Sequence, residues 1–152
     1  MSERLASWWE WLRVRAVRLR SWWARVGVRL PRVHAWAPAV LYMALIFGLS
    51  SLHVVSPVVS IFPFRDKGAH FTEYALLGLL CARACRLTWP RRPWPRMLAL
   101  GAFLATAWGL SDELHQVFVP GRSADARDLL ADALGAVTGA LLYEALRRRR
   151  GR

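Results

Sequence analysis

APAVLYMALIFGLSSLHVV, residues 37–55, runs for 19 positions without a single Asp, Glu, Lys or Arg. Bilayer hydrocarbon is about 30 Å thick and about 20 helical residues cross it, so this run is long enough for one span. Three further apolar runs follow, at about 68–87, 97–119 and 129–146, each with ionisable residues near one end. Taken together they predict an all-α fold, a four-helix transmembrane bundle over 36–146. An amphipathic interfacial helix over 1–35 precedes it and a basic tail over 147–152 follows. A soluble helical reading fails because no stretch between the runs could build a core of its own.

The composition agrees. Hydrophobic residues make up 55% of the 152 residues while the formal net charge is +12. A disordered basic tail lacks that hydrophobicity, and a soluble nucleic-acid binder has no use for four apolar runs. High charge and high hydrophobicity coexist here because they alternate along the chain. Eight arginines precede the first run, five more (Arg83, Arg86, Arg91, Arg92, Arg96) surround the link between the second and third, and five close the chain. Between the other runs stand only Arg65, Lys67, Arg122 and Arg127. The positive-inside rule then places both termini in the cytoplasm and turns 56–67 and 120–128 outward. Cys81 and Cys85 lie within an apolar run and read as small hydrophobic filler.

Arginines spread through the first 32 residues, with no compact apolar core before Ala37, do not make a cleaved signal peptide. On a helical wheel Leu5, Trp8, Trp9, Leu12, Ala16, Leu19, Trp23, Val26 and Leu30 share one side and arginines fill most of the rest. Such a helix lies in the membrane interface, its tryptophans at headgroup depth and its arginines on anionic phosphates. Five tryptophans in 23 residues argue against a nucleic-acid partner. Membrane lipids are the expected partners.

Ionisable groups inside apolar spans are functional candidates because burying them is costly. Asp66, His70 and Glu73 share one helical face at the start of the second run, with Lys67 and Tyr74 on the neighbouring stripe. Late in the third run come Asp112, Glu113, His115 and Gln116. At the start of the fourth, Asp125, Asp128 and Asp132 fall within a narrow arc. At 1.5 Å per residue, Asp112 lies about 22 Å along a helix beginning at Met97. That puts all three groups in the outer third of the bilayer, where they must face one another, pair with Arg122 or Lys67, or line a wet pocket.

The residues also form a known pattern: DKxxHFxxY (Asp66 to Tyr74), DExHQxFxPGR (Asp112 to Arg122) and Asp128-x3-Asp132-x2-Gly135-x3-Gly139, with Ile46-Phe47 and Ser50-Ser51 in the first run. This resembles the VanZ-like family of bacterial membrane proteins, named for a member linked to teicoplanin resistance, over roughly 41–143. The resemblance singles out Asp66, Lys67, His70, Tyr74, Glu113, Gln116, Arg122 and Asp128. It implies a place in the cell envelope, with a lipid-linked wall precursor or a glycopeptide antibiotic as a further partner, and leaves the interfacial helix outside the pattern. Asp132 stands where the family leads one to expect Asn.

Three readings of the polar residues stay open. One is an interhelical latch that fixes the bundle as a scaffold. Another is a headgroup site, with Arg122 and Lys67 clamping phosphate or carboxylate and the acids and Gln116 taking amides and hydroxyls. The third is catalysis, with His70, flanked by Asp66 and Glu73, as general base and Glu113 as acid. Binding leads and an enzyme follows. No HExxH-type spacing supports a metal, and no cofactor is expected. Asp125 fits an N-cap, Asp128 the third helical position, and Gly135-x3-Gly139 a close helix contact.

Overall fold

The computed structural model describes residues 2–51, 65–120 and 124–151, with side chains from Trp8 and, in the second segment, from Lys67. Among the described residues there are five helices and no strand: α1 Ser2–Arg29, α2 Pro31–Ser50, α3 Arg65–Thr88, α4 Trp94–Gln116 and α5 Ala126–Arg150. Helices α2 and α5 are long and apolar enough to cross a membrane. Helices α3 and α4 are of similar length, but ionisable residues interrupt their apolar stretches, Glu73 and Arg83 in α3 and Asp112 and Glu113 in α4.

The interfacial helix predicted over 1–35 is shorter than expected. It ends at Arg29 because Pro31 opens a new helix at its first position, where the missing N–H costs nothing. Helix α2 therefore starts six residues before the predicted span and is described to Ser51; the rest of that span lies outside the described residues. The predicted tail is mostly helix, since α5 runs on to Arg150. Cationic side chains suit a helix C-terminus, and Glu144, 3% exposed, accepts from both Arg147 and Arg148.

A second proline, Pro38, lies inside α2. Having no N–H, it leaves the carbonyl four residues back, that of His34, without its helical donor. Arg83 of α3 supplies one: its guanidinium donates to the His34 oxygen at 3.3 Å and to that of Ala35 at 3.2 Å. Next to it the Trp36 indole donates to Thr88 Oγ1 at 2.9 Å.

Helices α3 and α5 run side by side in one direction, and small residues bring their backbones together. A Cβ added at Gly139 would stand 1.7 Å from the Ala75 oxygen, and one at Gly135 2.3 Å from that of Phe71. Glycine is required at both by this approach. Helix α4 packs on the pair with Gly101 against the Ala82 backbone. The apolar core holds Ala39, Ile46, Tyr74, Leu77, Cys81, Ala105 and Ala136. Both cysteines are free and fully buried, consistent with filler.

The distribution of polarity is inverted relative to a water-soluble domain. Asp112, Glu113, Gln116, Asp128 and Asp132 are buried, whereas Phe103, Leu110, Leu114, Phe118, Leu130, Leu134 and Leu141 are exposed.

Candidate functional site: a polar centre where four helices meet

The polar centre forms at the end of the bundle where α2 and α4 finish and α3 and α5 begin. Asp125 caps α5, its carboxylate accepting from the Arg127 N–H at 2.8 Å, and Asp128 follows in the first turn, where the helix dipole favours an anion. Lys67 crosses from α3 to both, donating to Asp125 Oδ2 at 3.1 Å and to Asp128 Oδ1. The Arg127 N–H, then Lys67, holds the Asp125 carboxyl below its ordinary range, while the bond to Asp128 is the main cause that raises Lys67.

One turn further in, His70 Nδ1 stands 3.0 Å from Asp132 Oδ1. A carboxylate from another helix, Asp132, thus faces the imidazole at Nδ1, a partner that the sequence did not single out. Sequence spacing could place residues on one face of α3, but not say which helix would face them. Glu113 accepts from the Asp125 backbone N–H at 3.0 Å, tying the end of α4 to the start of α5. Gln116 donates to Asp112 Oδ2 at 3.1 Å, one helical turn before it. Asp112 itself is buried, 4% exposed.

Helix α2 contributes what the three predicted groups lacked. Ser50 Oγ lies 2.5 Å from Asp112 Oδ1, and Ser51 Oγ lies 3.0 Å from His115 Nε2, whose ring stacks on Phe47 at 4.2 Å. The signal in the sequence was a hydroxyl pair at the end of an apolar run, at the depth of Asp112. The structure thus brings together Lys67, His70, Tyr74, Asp112, Glu113, His115, Gln116, Asp128 and Asp132. The side chain of Asp66 and the whole of Arg122 lie outside the described residues.

A cavity of about 130 Å³ opens beside these pairs, lined by Ser50, His70, Glu73, Tyr74, Asp112 and Gln116 with Ile46, Leu49 and Ala69. The Tyr74 hydroxyl has no hydrogen-bond partner among the described residues although Tyr74 is 1% exposed; Asp132 Oδ2 shares that condition. One donor atom each from His70, Glu113 and Asp128 lies within 4.8 Å of the other two, a spacing that could hold a cation. The cation already placed on Asp128 is the Lys67 ammonium. Lys67 is engaged by two carboxylates, which leaves it poorly disposed to clamp an anion.

An all-helical bundle with acids, amides and imidazoles gathered at one end and apolar residues outside has the make-up of a membrane protein. The family model described as VanZ/LLP1 matches residues 31–147, and the chain belongs to that family. The match extends beyond the predicted 41–143 to cover all of α2 and leaves α1 outside. No curated protein and no solved structure matches the chain.

Proposed function

We propose that this chain is a four-span protein of the bacterial cytoplasmic membrane whose outward-facing cavity binds the amine- or hydroxyl-bearing part of an envelope lipid headgroup. The observation that carries the reading is the cavity with an unpartnered, buried Tyr74 hydroxyl in its wall, because buried polar groups in folded proteins almost always have partners. At roughly 30 Å³ per water, the cavity has room for about four waters or a headgroup fragment of similar size. Glu73 and Asp112 in its lining disfavour an anion and suit an ammonium, amide or hydroxyl.

The inverted polarity supports four spans. Helices α3 and α4 fall short of a simple hydropathy test because of charges they turn inward, while their exposed positions include Leu76, Phe103, Leu110 and Leu114. The distribution of arginines then puts both termini in the cytoplasm. A lipid-linked wall precursor fits the same chemistry. A glycopeptide antibiotic such as teicoplanin would reach the cavity with one projecting amine or hydroxyl, and a resistance role rests on family membership alone.

The test is native mass spectrometry of the detergent-solubilised chain. The parent retains an aminated or glycosylated lipid, and Tyr74→Phe and Asp112→Asn lose it in a graded way with folding intact. Retention unchanged in both variants overturns the reading. A second reading, acid–base chemistry on a lipid-linked substrate, is favoured by the Asp132–His70 pair beside Glu113. Under it, Glu113→Gln abolishes turnover of the retained lipid instead of weakening its binding.

A further inference from the structure

At the opposite end of the bundle, α3 and α5 part to form a second cavity, of about 380 Å³. Helix α3 lines it with Leu79, Arg83 and Leu87, one residue per turn. Helix α5 adds Tyr143, Leu146, Arg147 and Arg150 at i, i+3, i+4 and i+7, and His34 stands over it from α2. Both sets follow the helical period, so each is a continuous stripe. The result is a groove whose walls are leucine and tyrosine and whose rim is arginine.

The charges on that rim are not balanced among the described residues. Among the described residues neither Arg83 nor Arg150 has a carboxylate partner. Arg83 places one terminal nitrogen on the His34 carbonyl, which Pro38 leaves without its helical donor, and on that of Ala35, and its other nitrogens make no bond among the described residues. Arg147 is held by Glu144, but Glu144 is shared with Arg148. An excess of guanidinium groups over an apolar groove is complementary to a phosphodiester whose hydrocarbon continues from it.

We infer that this groove between α3 and α5 is a binding site for the phosphate of an anionic glycerophospholipid, held by Arg83 and Arg150 with its acyl chain along Leu79, Leu87 and Leu146. The inference shares with the proposed function the membrane placement that sets this end at the inner leaflet, but none of its cavity residues. The polar centre and this groove would thus hold opposite ends of the bundle against different headgroups, the first cationic or neutral, the second anionic.

The full chain in detergent is offered dioleoyl-phosphatidylglycerol, dioleoyl-phosphatidylcholine or inorganic phosphate, and retained adducts are counted by native mass spectrometry. Phosphatidylglycerol is retained as a saturable single adduct in preference to phosphatidylcholine. Arg150→Gln and Arg83→Gln each lower its retention about fivefold, the loss expected for one arginine near an anionic surface. Arg150 is exposed, so its variant tests the site even if Arg83→Gln fails to fold. Arg127→Gln, exposed at the far end of the bundle, leaves retention unchanged. Equal retention of the two lipids, or retention indifferent to Arg150→Gln, overturns the inference. Competition by inorganic phosphate at millimolar concentration assigns the site to a free anion and overturns the lipid assignment. Tyr74→Phe and Asp112→Asn leave phosphatidylglycerol retention at the parental level, which separates a failure here from a failure at the other cavity.

Discussion

His70 Nδ1 lies 3.0 Å from Asp132 Oδ1, and this contact bridges two helices, α3 and α5, whose backbones meet at Gly135 and Gly139 just beyond it. Asp132 is 1% exposed and its second oxygen has no partner among the described residues, so the imidazole is the group that makes its burial tolerable. Removing it with His70→Ala should lower stability by about 1–3 kcal/mol, the cost of a buried polar group left without a bond. Asp132→Asn keeps an acceptor for the ring and should cost less. Thermal unfolding in detergent ranks the two, and an equal or reversed order would mean that the pair does not support the interface.

The glycine contacts give a sharper contrast. An added methyl at Gly139 meets the Ala75 carbonyl, whereas at Gly48 it meets nothing within 4 Å. Gly139→Ala must push α3 and α5 apart and should cost about 1–3 kcal/mol or more. Gly48→Ala should be neutral or raise stability by up to about 1 kcal/mol through helix preference. Melting temperatures of the two variants, measured side by side, check this.

The ion pairs at the start of α5 set a pH dependence whose sign is fixed by the direction of each shift. Asp125 is held below its ordinary 3.8, so its contribution is present above that value and fades as pH falls through the lower folded one. Lys67 is held above its ordinary 10.5, so its contribution is complete below that value and is lost as pH rises through the higher folded one. Stability from this corner should therefore be flat across the neutral range and decline at both extremes. Asp125→Asn should remove the part of the acid limb that belongs to Asp125, measured as melting temperature against pH.

Topology can be read by thiol labelling because the two native cysteines are fully buried. Ala124→Cys, at an exposed position in the segment assigned to the outside, should react with a membrane-impermeant maleimide in intact cells. Arg149→Cys, exposed near the end of α5, should react only after permeabilisation. The reverse pattern would invert the orientation.

The helices themselves could be read from where charge stops and apolar sequence begins, and the sequence placed α3, α4 and α5 within a few residues. It misjudged the first boundary because arginines continue across residues 29–32, while the break depends on one residue, Pro31, whose missing N–H restarts the helix. The convergence of three polar groups followed from depth alone, since rise per residue is the same in every helix. Partners within the centre did not follow, because they depend on rotation and on which helices are neighbours. That is why the contact of Asp132 with His70 Nδ1 was not foreseen, and why Ser50 and Ser51 were seen only as part of a motif. Glu144 was missed for another reason: one acid among many arginines gives no signal until its three hydrogen bonds are seen.

Only Leu30 separates α1 from α2, and the turns on either side of it are stitched by the bonds from Leu30 N to Val26 O at 2.7 Å and from His34 N to Leu30 O at 2.9 Å. Helix α2 is thus a stiff arm about 30 Å long, with a tryptophan- and arginine-clad paddle hinged at its foot and the Ser50–Ser51 hydroxyls at its tip. The two helices are thus joined almost without a linker, so the foot of α2 sets directly where α1 begins and which way it leaves the bundle.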